Sequence, residues 1–333
     1  MKKVFAIVLG ASAMIACTKT SVSYEPTGEI ALAPVARVNM TKAAVEGVKM
    51  PEDWGLKVFG YYDQNETAIP EAGIGDKFST VYLNGALFAK KGDVWAGSPT
   101  PYYWPKTGSI LFAAYAPADF TPALTHDRAT NVFTLTDYVQ PALKDTKDLL
   151  YSCYTTPAKN GTVPMTFRHA LAWVTFELGT GDDDVFAVKK ITIENAASKG
   201  SATLGTATDG NDNRKWTVSE KKNLQIFAGD KKLTTAVEIA DAEKCGLVIP
   251  AELGDDVVLK IEYTMAYGAT APVAQVFSKQ LNLCEAANNQ KINEWKAGMH
   301  YTYRLNFGRE EITITPKVED WDDTDIDNID LGK

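Results

Sequence analysis

Short apolar runs, each rich in β-branched and aromatic residues and each bounded by Gly, Pro, Asn or Asp, recur along most of this 333-residue chain. In the first half they fall at residues 56–62, 80–83, 86–89 and 109–115. Runs this short, with turn signals at close intervals, predict antiparallel β-sandwich structure and argue against alternating β-α-β units. No long stretch keeps a 3.6-residue period, and residues 137–147 are the one place where a short helix is expected. A turn signal at Pro157, Asn160 and Gly161 interrupts the pattern, which then starts again. Within 171–178, Ala172, Val174, Phe176 and Leu178 alternate with Trp173, Thr175 and Glu177, the period of a strand with one buried face. Further runs lie at 163–167, 188–194, 215–218, 223–227, 246–249, 257–265, 275–281, 301–307 and 311–318. Two halves of similar strand content predict an all-β chain of two tandem sandwich domains, residues 38–160 and 161–333. The hydrophobic content of 45% is enough for two cores.

The first 40 residues are different. Lys2 and Lys3 precede an apolar run over 4–16 that is too short to span a bilayer, and Met14, Ile15 and Ala16 lead into Cys17. This reads as a signal peptide, residues 1–16, ending at a lipobox whose Cys17 is acylated and becomes the new N-terminus. Residues 17–37 follow as a separate segment. Within it Ile30, Leu32 and Pro34 share one face at strand spacing, and the segment ends at Arg37, followed by Val38. Pro34 suits an edge strand or a loop.

Charge and residue counts exclude several classes of function. The net charge of −8 becomes −10 once Lys2 and Lys3 leave with the signal, and no basic run is present. Nucleic acid is therefore not an expected partner. Beyond residue 16 no apolar stretch approaches membrane-spanning length, so any membrane attachment falls to the lipid on Cys17. Setting Cys17 aside leaves Cys153, Cys245 and Cys284, an odd set without a CxxC spacing, which is not a disulfide framework. The three histidines are scattered, and no nucleophile elbow or carboxylate pair stands in a recognisable context. No enzyme activity, cofactor, metal or catalytic residue is expected.

Several phrases, taken in order, resemble those of the fimbrillins of Bacteroidales, lipoprotein-derived subunits of type V pili. Trp104-Pro105 is followed by a run ending in Tyr115-Ala116-Pro117, and then by Asp148-Leu149-Leu150-Tyr151. After these come Phe167-Arg168-His169-Ala170-Leu171-Ala172, Trp295-Lys296-Ala297-Gly298 before Tyr301-Thr302-Tyr303, and a late Trp321. The resemblance covers nearly the whole chain. It implies two transthyretin-like β-sandwich domains, and processing at the outer membrane by an arginine-specific surface protease. It also implies assembly with other fimbrillin subunits into an extracellular fimbrium by donor-strand exchange. Carried onto this chain, residues 17–37 are a propeptide, Arg37 is the cleavage residue and the strand holding Ile30, Leu32 and Pro34 is the removable one.

At the other end Ile312, Ile314, Pro316 and Val318 share a face, and Ile326, Ile329 and Leu331 follow in an acidic tail. These are either the anchors of a donor strand or a last core strand with a solvated tail. The alternating aspartates from Asp320 to Asp327 lack the spacing of a calcium loop, which favours solvation. His169 is expected to be a satisfied histidine at a domain junction. Trp95, Tyr102, Tyr103 and Trp104 are expected in the core; were they a surface platform, they would suit a monomeric lipoprotein that binds glycan or host protein.

Overall fold

The computed structural model describes residues 28–36, 50–65, 68–69, 74–153, 156–180, 185–205, 213–233, 237–238, 246–266, 276–283 and 291–321. Among these residues there is no α-helix, and the chain is all-β. The first half supplies β1 (Ala31–Ala36), β2 (Leu56–Asp63), β3 (Thr80–Lys91), β4 (Val94–Gly97), β5 (Ser109–Ala116), β6 (Thr125–Asp127), β7 (Val132–Val139), β8 (Leu150–Cys153) and β9 (Thr162–His169). Seven of these close into a barrel in the order β1-β4-β3-β2-β5-β8-β9.

β5 shows why one apolar run can serve two cores. All eight of its residues are buried. Ile110, Phe112, Ala114 and Ala116 point into the barrel with Leu56, Val58, Phe88 and Phe167. Leu111, Ala113 and Tyr115 point outward into a second cluster with Phe133, Leu135, Ala202 and Leu204. A strand covered on both faces has no polar side to alternate with, so it reads as a continuous hydrophobic run.

The second half supplies β10 (Ala172–Thr180), β11 (Val185–Gly205), β12 (Arg214–Lys232), β13 (Val237–Glu238), β14 (Gly246–Val248), β15 (Ala251–Glu252), β16 (Val258–Ala266), β17 (Phe277–Asn282), β18 (Glu294–Trp295), β19 (Met299–Phe307) and β20 (Ile312–Asp320). β11 is the spine. Its N-terminal part pairs with β16, and its Phe186, Val188, Ile191 and Ile193 enter a third core beneath β10 and β19. Its C-terminal part pairs with β7 from the first half, and its Ala202 and Leu204 cover the outside of the barrel. Most ladders are antiparallel as expected, but β1–β9 and β10–β19 run parallel.

Several local expectations change. Residues 80–83 and 86–89 are one strand, β3, because Gly85 takes a φ of +66° and the register against β2 shifts between Val58 and Tyr61. Residues 215–218 and 223–227 likewise merge into β12. The helix expected at 137–147 is absent. Tyr138 and Val139 are held in the ladder to β11, Pro141 has no N–H to give, Ala142 is extended, and only one 3-10 turn forms at Leu143–Asp145. The turn at 157–161 leads into β9, which pairs with β8 and β1 in the barrel, so strand pairing crosses the boundary expected near residue 160.

Candidate functional site

β1 is the strand that closes the barrel. Its ladder to β9 is parallel, from Ala31 opposite Thr162 to Ala36 opposite Phe167. Its ladder to β4 is antiparallel and short, Ala31 opposite Ala96 and Leu32 opposite Trp95. Just before it, Ile30 N–H donates to Tyr102 C=O at 2.8 Å, and Trp104 N–H donates to Gly28 C=O at 3.1 Å. Ile30 and Leu32 are 0% exposed, Pro34 is buried, and Ala31 and Ala33 between them are half-buried. Strand periodicity therefore sends the three residues singled out in the sequence into the barrel, beside Trp95, Val163 and Met165. Burying each large side chain is worth about 1.5–3 kcal/mol. Pro34 lies beyond the last pair with β4, an edge position where a missing N–H is tolerated. With β1 gone, β4 and β9 would each present an unpaired edge along an apolar trough.

A cleft of about 460 Å³ opens where β1 begins. It is lined by Glu29 just before the strand and Ala31 within it, by Lys106 after Trp104, and by Lys159 in the turn before β9. Glu29 accepts hydrogen bonds from Lys91 Nζ at 2.9 and 3.3 Å. Neither Glu29 nor Lys91 stands out in the sequence, because their meeting depends on the fold bringing the residues before β1 to the end of β3.

The other end of the described chain is anchored rather than free. β20 pairs with β19 along its whole length, Ile312 opposite Phe307 through Asp320 opposite Met299. Ile312 is 5% exposed in the core of its own chain, Ile314 packs against the same core, and Val318 is 44% exposed. These three are already placed within their own subunit. Trp321 follows and is buried, its backbone N–H donating to Gly298 C=O at 2.8 Å. Its ring lies on His169, whose Nδ1 is 2.8 Å from Asp148 Oδ2, both side chains fully buried. The crossover from β9 to β10 is clamped around them. Arg214 donates to His169 C=O at 3.0 Å, Trp216 Nε1 to Ala170 C=O at 2.8 Å, and Ala170 N–H to Leu149 C=O at 2.8 Å.

The aromatic cluster is divided. Trp95 and Trp104 are core residues, Tyr102 stacks on Phe88 with ring centroids 5.9 Å apart, and Tyr103 is 44% exposed. Cys153 is a buried thiol whose Sγ lies 3.7 Å from Leu204 C=O. Among the described residues no cluster of His, Cys, Asp and Glu is placed to hold a metal ion. Cys17, Arg37, Val38, Cys245, Cys284, Ile326, Ile329 and Leu331 lie outside the described residues.

The model of the Fimbrillin-like family matches residues 41–321. A fimbrial protein from Bacteroides vulgatus aligns over 88% of this chain and 100% of its own at 16% identity, with a TM-score of 0.52. A provisionally assigned cell adhesion protein from Bacteroides ovatus aligns over 91% of this chain and 100% of its own at 15% identity, with a TM-score of 0.50. At these identities the likeness shows the fold. The comparison with curated proteins finds no match.

Proposed function

Because this chain belongs to the fimbrillin-like family, we propose that it is a structural subunit, stalk or tip, of a bacterial surface fimbria, polymerising by protease-triggered strand exchange and supporting adhesion. In this reading residues 1–16 direct export, Cys17 is acylated and holds the precursor at the outer membrane, and an arginine-specific protease cuts after Arg37. The mature chain begins at Val38, and β1 leaves with the propeptide. A neighbouring subunit then lays a strand in the vacated slot, satisfying the edges of β4 and β9 by β-augmentation. The pairing of β20 within its own subunit supports Ile326, Ile329 and Leu331, beyond Trp321, as donor anchors ahead of Ile312, Ile314 and Val318.

The observation that carries this reading is the position of β1. It is the one strand between β4 and β9, it is six residues long, and Arg37 follows its last residue directly. Arg37→Ala is expected to leave the precursor at full length and to stop polymerisation, read on gels of surface material and by sequencing the mature N-terminus. Normal conversion and normal fibres in that variant defeat the proposal.

The same two ladders also favour a second reading. A β1 retained in the barrel leaves no unpaired edge at the slot, as befits a monomeric surface lipoprotein that binds glycan or host protein. The exposed ring of Tyr103, held by the Tyr82 hydroxyl donating to Tyr103 C=O at 2.6 Å, is the contact it would offer. Surface protein that begins at acylated Cys17 in every copy points to an anchor subunit or to this second reading.

A further inference from the structure

β1 is held unevenly along its length. Ala31 and Leu32 are paired on both sides, with Ala96 and Trp95 of β4 and with Thr162 and Val163 of β9. The residues just before them have a further partner. Ile30 N–H donates to Tyr102 C=O, Trp104 N–H donates to Gly28 C=O, and Glu29 meets Lys91 Nζ at 2.9 Å. Segment 102–104 is itself fastened to β3, through the stack of Tyr102 on Phe88 and the bond from the Tyr82 hydroxyl to Tyr103 C=O. The two large inward anchors, Ile30 and Leu32, belong to this same half.

The other half has less. Among the described residues, 33–36 are paired with β9 alone, opposite 164–167, in a parallel ladder. Parallel pairing is slightly the weaker kind per residue, and Pro34 has no N–H to give. Arg37, where the strand-exchange reading puts the cut, follows Ala36 directly. The cut therefore falls at the weakly held end, while the firmly held end stays joined to Cys17.

Resting on that reading, we infer that cutting loosens β1 without expelling it, and that segment 102–104 together with Lys91 is a latch that keeps the propeptide seated. The nicked subunit stays bound to its own propeptide, and through the acyl group on Cys17 to the outer membrane, until an invading strand displaces β1. Before the cut, residues 37–49 tie β1 covalently to the barrel, so a frayed end finds its place again at a high effective concentration. After the cut that tether is gone. Residues 33–36 lift first and bare the edge of β9 beside Met165 and Phe167, where an invader gains its first backbone pairs. Ile30 and Leu32 leave last. Departure of the old strand and arrival of the new one are then a single exchange, and at no stage is the whole apolar trough open to water.

The test uses the full chain carrying Ile326→Asp, Ile329→Asp and Leu331→Asp, so that it cannot fill a neighbouring slot. It is extracted in mild detergent and cut after Arg37, with Val38 verified by N-terminal sequencing. Native mass spectrometry is expected to find the body and the fragment ending at Arg37 in one complex. Hydrogen exchange, cut against uncut, is expected to rise at Val35 and Ala36 and to stay slow at Ala31 and Leu32. Ile30→Ala is expected to speed loss of the fragment by about tenfold or more, and Pro34→Ala by less than about twofold. Lys91→Gln is expected to speed it about threefold, the size of an exposed ion pair. A wild-type peptide of residues 322–333 is expected to eject the fragment faster than it leaves unaided. Immediate loss of the fragment on cutting overturns the inference, as does equal acceleration by Ile30→Ala and Pro34→Ala. If the fragment-free protein then takes up the peptide, strand exchange itself stands. A seated fragment that the peptide does not displace overturns both.

Discussion

His169 lies flat against Trp321, ring centroids 3.4 Å apart and planes 16° from parallel. His169 ends the last barrel strand and Trp321 follows the last strand of the chain, so this one contact joins two segments about 150 residues apart in sequence. Trp173 extends the stack, 5.4 Å from Trp321 and 3.8 Å from His300. The phrase around His169 thus carries packing rather than chemistry: its carbonyls receive Arg214 and Trp216, and its imidazole meets a buried carboxylate.

Trp321→Ala is expected to cost about 3–5 kcal/mol, since it removes a large buried ring from a site that backbone hydrogen bonds keep from collapsing. Trp321→Phe keeps the stack and should cost under about 2 kcal/mol. Urea denaturation followed by circular dichroism checks both, and equal stability of the Ala variant and wild type would show that the stack contributes nothing.

Leu32→Ala should separate precursor from polymer. Leu32 is fully buried between Trp95 and Val163, so truncation destabilises the uncut chain by about 2–4 kcal/mol. If β1 leaves with the propeptide, fibres assembled from this variant must match wild-type fibres in thermal stability, because Leu32 is no longer present. Fibres weakened as much as the precursor would mean that β1 stays.

Gln140 takes the place of a strand. Its side-chain amide donates to Leu247 C=O at 3.0 Å and to Thr146 Oγ1 at 3.0 Å, while its Oε1 accepts from Ile249 N–H at 3.1 Å. Leu247 and Ile249 are fully buried, so Gln140→Ala leaves two inner backbone groups without this partner. The cost is about 1–3 kcal/mol for each. Faster amide hydrogen exchange at Ile249 than in wild type is the expected signature.

Much of this fold is legible in the sequence where burial is one-sided. The alternation over 171–178 became β10 with the expected residues inward, and the spacing of Ile30, Leu32 and Pro34 became β1. Long-range pairing is not legible. Nothing local says that β1 runs parallel to β9 or that β7 joins β11, because both ladders depend on residues far apart in sequence. β11 is hidden for a different reason. Its 21 residues include Asn195 at a φ of +58° and Gly200, which read as loop but are irregularities within one strand. The cleft lysines are hidden too, since a lysine in a turn carries no mark until a strand is laid beside it.

Two half-buried histidines, His126 and His300, set an acid limit on stability. His126 is held between Tyr61, whose hydroxyl is 2.9 Å from Nδ1, and Asn131, whose Oδ1 is 3.2 Å from Nε2. Neutral imidazole with its proton on Nε2 satisfies both partners. Burial pushes His126 down to about 4, against small upward pulls from its contact with Asn131 and from Asp127. His300, between Trp173 and Thr175, is also pushed to about 4 by burial, with Glu319, Lys317 and Glu177 as weaker influences. An unfolded histidine takes up its proton near pH 6.5 and these folded ones only near 4. Between those values the unfolded chain therefore binds more protons, so stability falls as pH drops through this window and is level above it with respect to these groups. The loss for His126 amounts to about 3 kcal/mol by pH 4, and less for the more solvated His300. His126→Gln keeps a hydrogen-bonding side chain without the titration. It is expected to flatten the dependence of unfolding free energy on pH between 6.5 and 4.5 by close to one proton, with His300→Gln adding a smaller step. An unchanged slope in the double variant would show that neither ring is held neutral by the fold.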